Sequence, residues 1–319
     1  MKIISIVLLT FSLFTCKSQQ INNIQPFQRM ENYNGNIVLP IEEKILTIPT
    51  TIINLLNEMD NVDTYSSYEL NHGEKQLFMD YFDFLPLKYR NIITEKVVGI
   101  YFVKNFLGGG MTLPVFDNNG NMYMVLYFNP EILHQNISNW INFRDNSVFI
   151  NNGSEISIMV ECFSKYYALL HTLVHEACHI YDYYNSITPF TEKFLKNDQT
   201  RFPTDFVRDV WADYDKPIDK FDYMDRENIS FYDLGERISI NNAMRIFDTL
   251  RNTPFTSLYG SKTRAEDFAE AFTWYYLNKY FETDYITIIF ENDEPLMIYD
   301  MDENDLVKGR YRLFIEIEE

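Results

Sequence analysis

The chain has 319 residues, 46% of them hydrophobic and 16% aromatic, which is enough for one large or two modest cores and excludes a disordered protein. Its formal net charge of −19 excludes a phosphate-directed field, and with it nucleic acid as a partner.

The first residues, MKIISIVLLTFSLFTC, set Lys2 before an apolar run from Ile3 to Phe14. The run is too short for a membrane span and predicts a secretion signal over residues 1–15. Cys16 follows Leu13-Phe14-Thr15 as in a bacterial lipoprotein box, so it is the expected lipidation site. The chain is then an exported protein, lipid-anchored in a bacterial cell envelope; without the anchor it is secreted or periplasmic. Residues 16–36 are polar and aperiodic and read as a tether. The other cysteines, Cys162 and Cys178, are expected as two buried thiols rather than a disulfide.

Residues 37–319 read as one folded domain. Apolar spacing predicts helices over Ile52–Met59 and Glu74–Phe84, with His72 in a turn between them. Lys96–Lys104 and Met122–Phe128 are rich in branched and aromatic residues and predict strands. Between them, Gly108-Gly109-Gly110 lacks the Lys-Ser/Thr ending of a phosphate loop and reads as a bend or bulge. His134 has no partner at metal-ligand spacing and is expected to be structural. Ile156–Val160 is a further short strand. Strands followed by a buried helix predict an α+β domain with a small mixed sheet walling a cleft. An exposed strand edge there could pair with an extended peptide.

The helix is the stretch from Ser164 to Asn185, SKYYALLHTLVHEACHIYDYYN. At about 100° per residue its aromatic and aliphatic side chains cover most of the circumference, as a buried helix requires. One narrow stripe is polar: His171, Thr172, His175, His179, Asp182 and Ser186. Buried polar groups need partners, and a metal is one. His175 and His179, one turn apart, can aim two imidazole nitrogens at a single ion, and Glu176 between them can reach a water on it. This H-E-x-x-H arrangement is the one metal-assisted peptide hydrolysis uses, with zinc as the cofactor.

An insertion spans about 190–255: Thr191–Leu195 and Asn241–Leu250 look helical, and Arg201–Asp225 is aromatic and acidic. It reads as a lid, a subsite wall or an inert structural element. Beyond it, Leu258–Tyr280 predicts a second buried helix with Glu266 and Glu270 on one face. Two buried carboxylates need positive charge nearby. One can bind the metal while the other orients a ligand histidine. Glu266 is favoured as third ligand, Glu270 is the main rival, and Asp267 stands behind both. Thr263-Arg264-Ala265-Glu266 also fits a capping box, which accounts for Glu266 without a metal but not for Glu270.

Taken together, His175-Glu176-Ala177-Cys178-His179 with Asp182, Tyr259-Gly260, and Glu266-Asp267-Phe268-Ala269-Glu270-Ala271-Phe272 resemble the catalytic domain of anthrax toxin lethal factor and its relatives. Those are zincin metallopeptidases with a glutamate as third zinc ligand. The resemblance covers mainly residues 168–187 and 256–277. It implies a zincin-like fold, zinc held by His175, His179 and Glu266, and Glu176 as general base. It further implies Tyr259, seven residues before the third ligand, as an oxyanion donor. Glu270 and Asp182 are then expected to support the ligand histidines. The stretch from His179 to Glu266 is longer than the toxin's, and no docking or cell-entry domains are expected in this sequence, so substrate and toxicity do not carry over. Metzincins are excluded, because positions 182 and 185 carry Asp and Asn where Gly and His are needed.

At the C-terminus, Tyr285–Phe290, Leu296–Tyr299 and Tyr311–Ile317 read as strands. Asp300, Asp302 and Asn304 alternate as in a calcium loop, but Asp305 and Tyr311 replace its turn glycine and closing glutamate, which leaves a solvated turn. The expected function is a zinc metallopeptidase, an endopeptidase acting on exported or envelope proteins, with peptide or protein substrates and a membrane contact only through the anchor. The alternative is a catalytically inactive, lipid-anchored binding or immunity-like protein on a peptidase scaffold. The complete set His175, Glu176, His179 and Glu266 argues against it.

Overall fold

The computed structural model describes residues 24–188 and 204–318. The expected signal over 1–15, the lipidation site Cys16, most of the tether and the Thr191–Leu195 helix lie outside the described residues.

The strands β1 (Ile45–Leu46), β2 (Ser66–Tyr68), β3 (Val97–Lys104), β4 (Gly110–Phe116) and β5 (Met122–Phe128) form a mixed sheet in the order β1-β3-β5-β4, with β2 also on β3. β3 and β5 run parallel, in register at Ile100 and Leu126, and β4 runs antiparallel to β5. Helices α1 (Thr50–Asp60), α2 (His72–Phe82) and α3 (Leu87–Lys96) pack against it, and α4 (Ile137–Asn146) follows in the chain. β3 is apolar at nearly every position because both faces of the sheet are covered. Ile100, Phe102, Leu126 and Phe128 join the main core, and Tyr101, Val103, Val125 and Tyr127 join a second core under α1.

The short parallel pair β6 (Phe149–Ile150) and β8 (Ile238–Ser239) flanks a three-stranded antiparallel sheet. That sheet contains β7 (Ile156–Glu161), β9 (Ile286–Glu291) and β10 (Glu294–Asp300). The long helix α5 (Ala168–Asn185) packs on β4, α3, α4 and α7 (Arg264–Phe281); α6 (Ala243–Leu250) and α8 (Asp305–Glu318) complete the domain. The architecture is α+β with a small mixed sheet, as the order of elements predicts. Cys162 and Cys178 are buried free thiols, also as expected. No helix among the described residues is long and apolar enough to cross a membrane.

Several expectations need correction. Residues 24–36 are not a tether: they form short 3₁₀ turns, and Tyr33 is buried with its hydroxyl 2.6 Å from that of Tyr127. Tyr311–Ile317 is helical, not extended. Its alternating apolar residues also satisfy a helical period, and the buried positions Val307, Arg310, Phe314 and Ile317 are spaced three or four apart. The triple glycine is a bend at Gly108 and Gly109, as expected, and it leads into strand β4 at Gly110. β4 escapes sequence reading because Pro114 lies inside it, and that proline is tolerated at a sheet edge, where a missing N–H breaks no ladder. His72 is the first residue of α2, behind the cap Asn71, rather than a turn residue. His134 pairs with Glu74 at 3.1 Å, a structural role as expected. The Asp300–Asn304 segment is not simply solvated: Asn304 is buried and its side chain accepts from the backbone N–H of Leu306 at the start of α8.

Candidate metal centre

Helix α5 has the buried character that its sequence predicts, with Leu169, Leu170, Leu173, Val174, Ala177, Cys178 and Ile180 in the core. Its polar stripe meets the N-terminal half of α7. There Thr263 caps the helix by accepting from the Glu266 N–H at 3.1 Å, but the Glu266 side chain does not close a capping box. It turns instead to the histidines.

His175 Nε2 lies 3.1 Å from Glu266 Oε2 and 3.2 Å from His179 Nε2, and His179 Nε2 lies 3.5 Å from the same Glu266 oxygen. Donor atoms about 2.0–2.1 Å from a tetrahedral zinc stand about 3.3 Å from one another, so these three atoms fit one ion. The electrostatics agree. Burial pulls the His175 imidazolium down, but the carboxylates of Glu266 and Glu270 outweigh that and raise it to about 10. For Glu266 burial opposes ionisation, and His179 and His175 more than reverse it. Glu266 and Glu270 thus place negative charge on two sides of His175. Among the described residues this is the only His/Cys/Asp/Glu group with such convergence.

Glu270 is fully buried one turn along α7 and does not join the three. Its Oε1 accepts from Arg144 Nη1 at 2.8 Å, and its Oε2 accepts from Ser257 Oγ at 2.6 Å and Trp274 Nε1 at 3.2 Å. Oε1 also stands 3.3 Å from His175 Nδ1, near enough to fix the ring electrostatically though outside good hydrogen-bond geometry. Glu270 therefore sits behind His175, with Glu266 at its face, which separates the two candidates that spacing alone leaves open. Arg144 also grips Asp145 through Nε at 2.8 Å, and Tyr285 donates to the other Asp145 oxygen at 2.6 Å. Asp267, the third candidate, is elsewhere: Arg310 binds it through both terminal nitrogens and Trp211 Nε1 donates to it at 2.8 Å.

Glu176 is buried, and its Oε2 accepts from Thr112 Oγ1 on β4 at 2.8 Å. Burial raises its pKa, against the opposing pull of the histidines and of Thr112. The glycines explain how β4 comes this close. A Cβ on Gly110 would stand 3.0 Å from Glu176 Cγ and Oε1, and Gly108 has φ +84°, a left-handed conformation suited to glycine. Tyr259 is half-buried, its ring 5.9 Å from that of His175 and 5.0 Å from the Arg144 guanidinium carbon. Burial and nearby carboxylates keep its hydroxyl protonated far above neutrality. Tyr259 lines the same cleft as His175, Glu176 and Glu266.

Asp182 does not bond either histidine among the described residues. It accepts from the backbone N–H of Thr188 at 2.6 Å and from the Thr188 hydroxyl, and so ties down the chain leaving α5. Burial pushes its pKa up to about 6, and His179 acts on it only through its charge. The described part of the 190–255 insertion packs beside the site. Tyr223 bonds Ser261 Oγ and Arg226 donates to the Ser261 carbonyl, while Tyr232 and Leu234 line a cavity next to His175.

Sequence reading misses Arg144, Thr112, Ser257 and Trp274. The signal for Arg144 is faint: an Arg-Asp pair in a segment with Trp140 and Ile141, whose helical period is broken by four asparagines and serines. Comparison with known proteins returns no matching family, no similar curated protein and no similar solved structure.

Proposed function

We propose that the chain is a zinc-dependent metallopeptidase of the zincin type, resembling the lethal factor catalytic domain, and an endopeptidase on exported or envelope proteins. The observation that carries this reading is the convergence of His175 Nε2, His179 Nε2 and Glu266 Oε2 within 3.5 Å of one another, beside Glu176 and Tyr259. His175, His179 and Glu266 would hold the zinc, and when bound it supplies Lewis acidity and lowers the pKa of water.

The chain's own groups divide the remaining work. Glu176 takes the proton of the attacking water and returns it to the leaving amine; its raised pKa brings it closer to neutrality, where a general base is most effective. Tyr259, protonated at neutral pH, donates to the developing oxyanion. Glu270, itself fixed by Arg144, keeps the His175 ring in orientation. An extended substrate would add as a strand to β4, an edge of the sheet that among the described residues is bridged only by Arg29 at Phe116. Endoproteolysis is supported by cavities bounded by His175 and Glu176 on two sides, one of about 130 Å³ reaching Arg144 and one of about 260 Å³ reaching Met59 and Tyr214.

The test is turnover of a mixed peptide library that includes N-terminally blocked members. Internal cleavage that stops with chelator and returns with zinc is expected; binding without cleavage would favour the inactive-scaffold alternative. A second prediction concerns pH. The Thr112 hydroxyl stabilises the charged form of Glu176, so Thr112→Val should raise the Glu176 pKa and move the acid limb of the kcat/KM profile to higher pH. An unmoved limb would mean that another group sets it.

A further inference from the structure

Adjoining the metal-ligand triad is the cavity of about 130 Å³ that reaches α4 and α5 behind Gly108–Gly110. Arg144 and His171 line it, and both are more than nine-tenths buried. Arg144 Nη2 and His171 Nε2 have no hydrogen-bond partner among the described residues, and His171 Nε2 stands 3.7 Å from Glu270 Oε1, beyond reach. Unpartnered buried polar atoms are costly, and Arg144 Nη2 can only donate, so a group with an acceptor oxygen that enters here gains by satisfying it. Thr172 Oγ1 and Trp140 Nε1, also without a hydrogen bond among the described residues, line the same space. A Cβ on Gly109 would stand 2.9 Å and 3.1 Å from these two atoms, so the room beside them depends on residue 109 lacking a side chain.

The chemistry of the lining narrows the ligand. Both oxygens of Glu270 and both of Asp145 are already taken, by Arg144, Ser257, Trp274 and Tyr285. A lysine or arginine side chain, which only donates, would find one open carboxylate oxygen, Glu176 Oε1, and pairing there would occupy the group that the peptidase reading uses as general base. A carboxylate ligand would find donors but no surplus positive charge, because one guanidinium already faces two buried carboxylates. A neutral carboxamide avoids both problems: its oxygen accepts from Arg144 and Trp140, and its NH₂ can donate to the Thr172 oxygen.

We propose that this cavity receives the side chain of a substrate residue flanking the scissile bond, and that it selects glutamine or asparagine. The proposal rests on the peptidase reading above. It is tested with matched peptides that carry Gln, Asn, Glu or Leu in turn at each of the two flanking positions, the cleavage site being mapped by mass. At one of those positions kcat/KM for Gln or Asn should exceed that for Leu and Glu by at least about tenfold, a factor consistent with hydrogen-bond selection. Thr172→Val, which removes one polar atom and keeps the shape, should reduce the carboxamide-over-Leu ratio several-fold, and Trp140→Phe, which removes the indole N–H together with part of the ring, should reduce it as well. Preference for Leu or Glu at both positions, or a ratio that neither variant changes, would overturn the pocket assignment and leave the peptidase reading intact. Failure to cleave any peptide, with zinc bound, would overturn both.

Discussion

Glu176→Gln is expected to keep about one zinc per chain and to lower kcat for peptide hydrolysis by roughly 10²–10⁴-fold, the range for loss of a positioned general base. Glutamine preserves the side chain's size and can still accept from Thr112, which donates to Glu176 Oε2 at 2.8 Å, so the helix and the triad should be undisturbed. What it cannot do is take a proton. The variant therefore separates metal binding from proton transfer. Loss of zinc along with activity would place Glu176 in the ligand set, and unchanged turnover would remove it from the chemistry. Tyr259→Phe is the milder companion: it removes one donor and should lower kcat while zinc content stays constant.

Arg144→Met should produce the largest loss of stability. The guanidinium is buried and binds Asp145 and Glu270, both fully buried, at 2.8 Å each. Methionine fills similar space but leaves two buried carboxylates without their cation, at a cost of about 3–5 kcal/mol. That is a large part of the about 5–15 kcal/mol that holds a domain together. The same substitution frees Glu270 from one of its anchors behind His175, so zinc affinity should fall about 10–100-fold. Urea unfolding of the zinc-loaded protein measures the first effect and competitive chelation the second. Adding Glu270→Gln to Arg144→Met should recover part of the stability, because it removes one of the stranded charges. A loss below about 1 kcal/mol for Arg144→Met would show that the pair is not the support described here.

The parts of the site written in local sequence were legible. His175, Glu176 and His179 fall on one turn of helix, and their spacing alone brings two imidazole nitrogens together. Glu266 and Glu270 share a helix face, so both were visible as candidates, but which of them meets the histidines is decided by how α7 docks on α5. That docking is a property of Trp274, Phe268 and Phe272 in the core rather than of the motif. Arg144, Thr112 and Ser257 reach the site from three other segments, at sequence separations that no local pattern encodes. Asp182 shows the converse: one turn past His179 it lies on the right stripe, yet the chain beyond the left-handed residue Ser186 folds back and gives it Thr188 as partner.

The fold followed the same division. β3 and β5 were readable because continuous branched and aromatic runs have few other uses. β4 was hidden by Pro114 and the glycines that let it approach Glu176. α8 looks extended in the sequence because Leu313, Ile315 and Ile317 alternate, while the contacts that choose the helix, Phe314 against Phe268 and Phe272, lie across the core.

The most direct measurement is the zinc content of the purified chain and of two variants, Glu266→Ala and Glu270→Gln, by elemental analysis after extensive dialysis. About one zinc per chain is expected in the parent and in Glu270→Gln, where binding is weaker but the three donor atoms remain, and little or none in Glu266→Ala. Zinc retained by Glu266→Ala and lost from Glu270→Gln would contradict the assignment of His175, His179 and Glu266 as the metal centre.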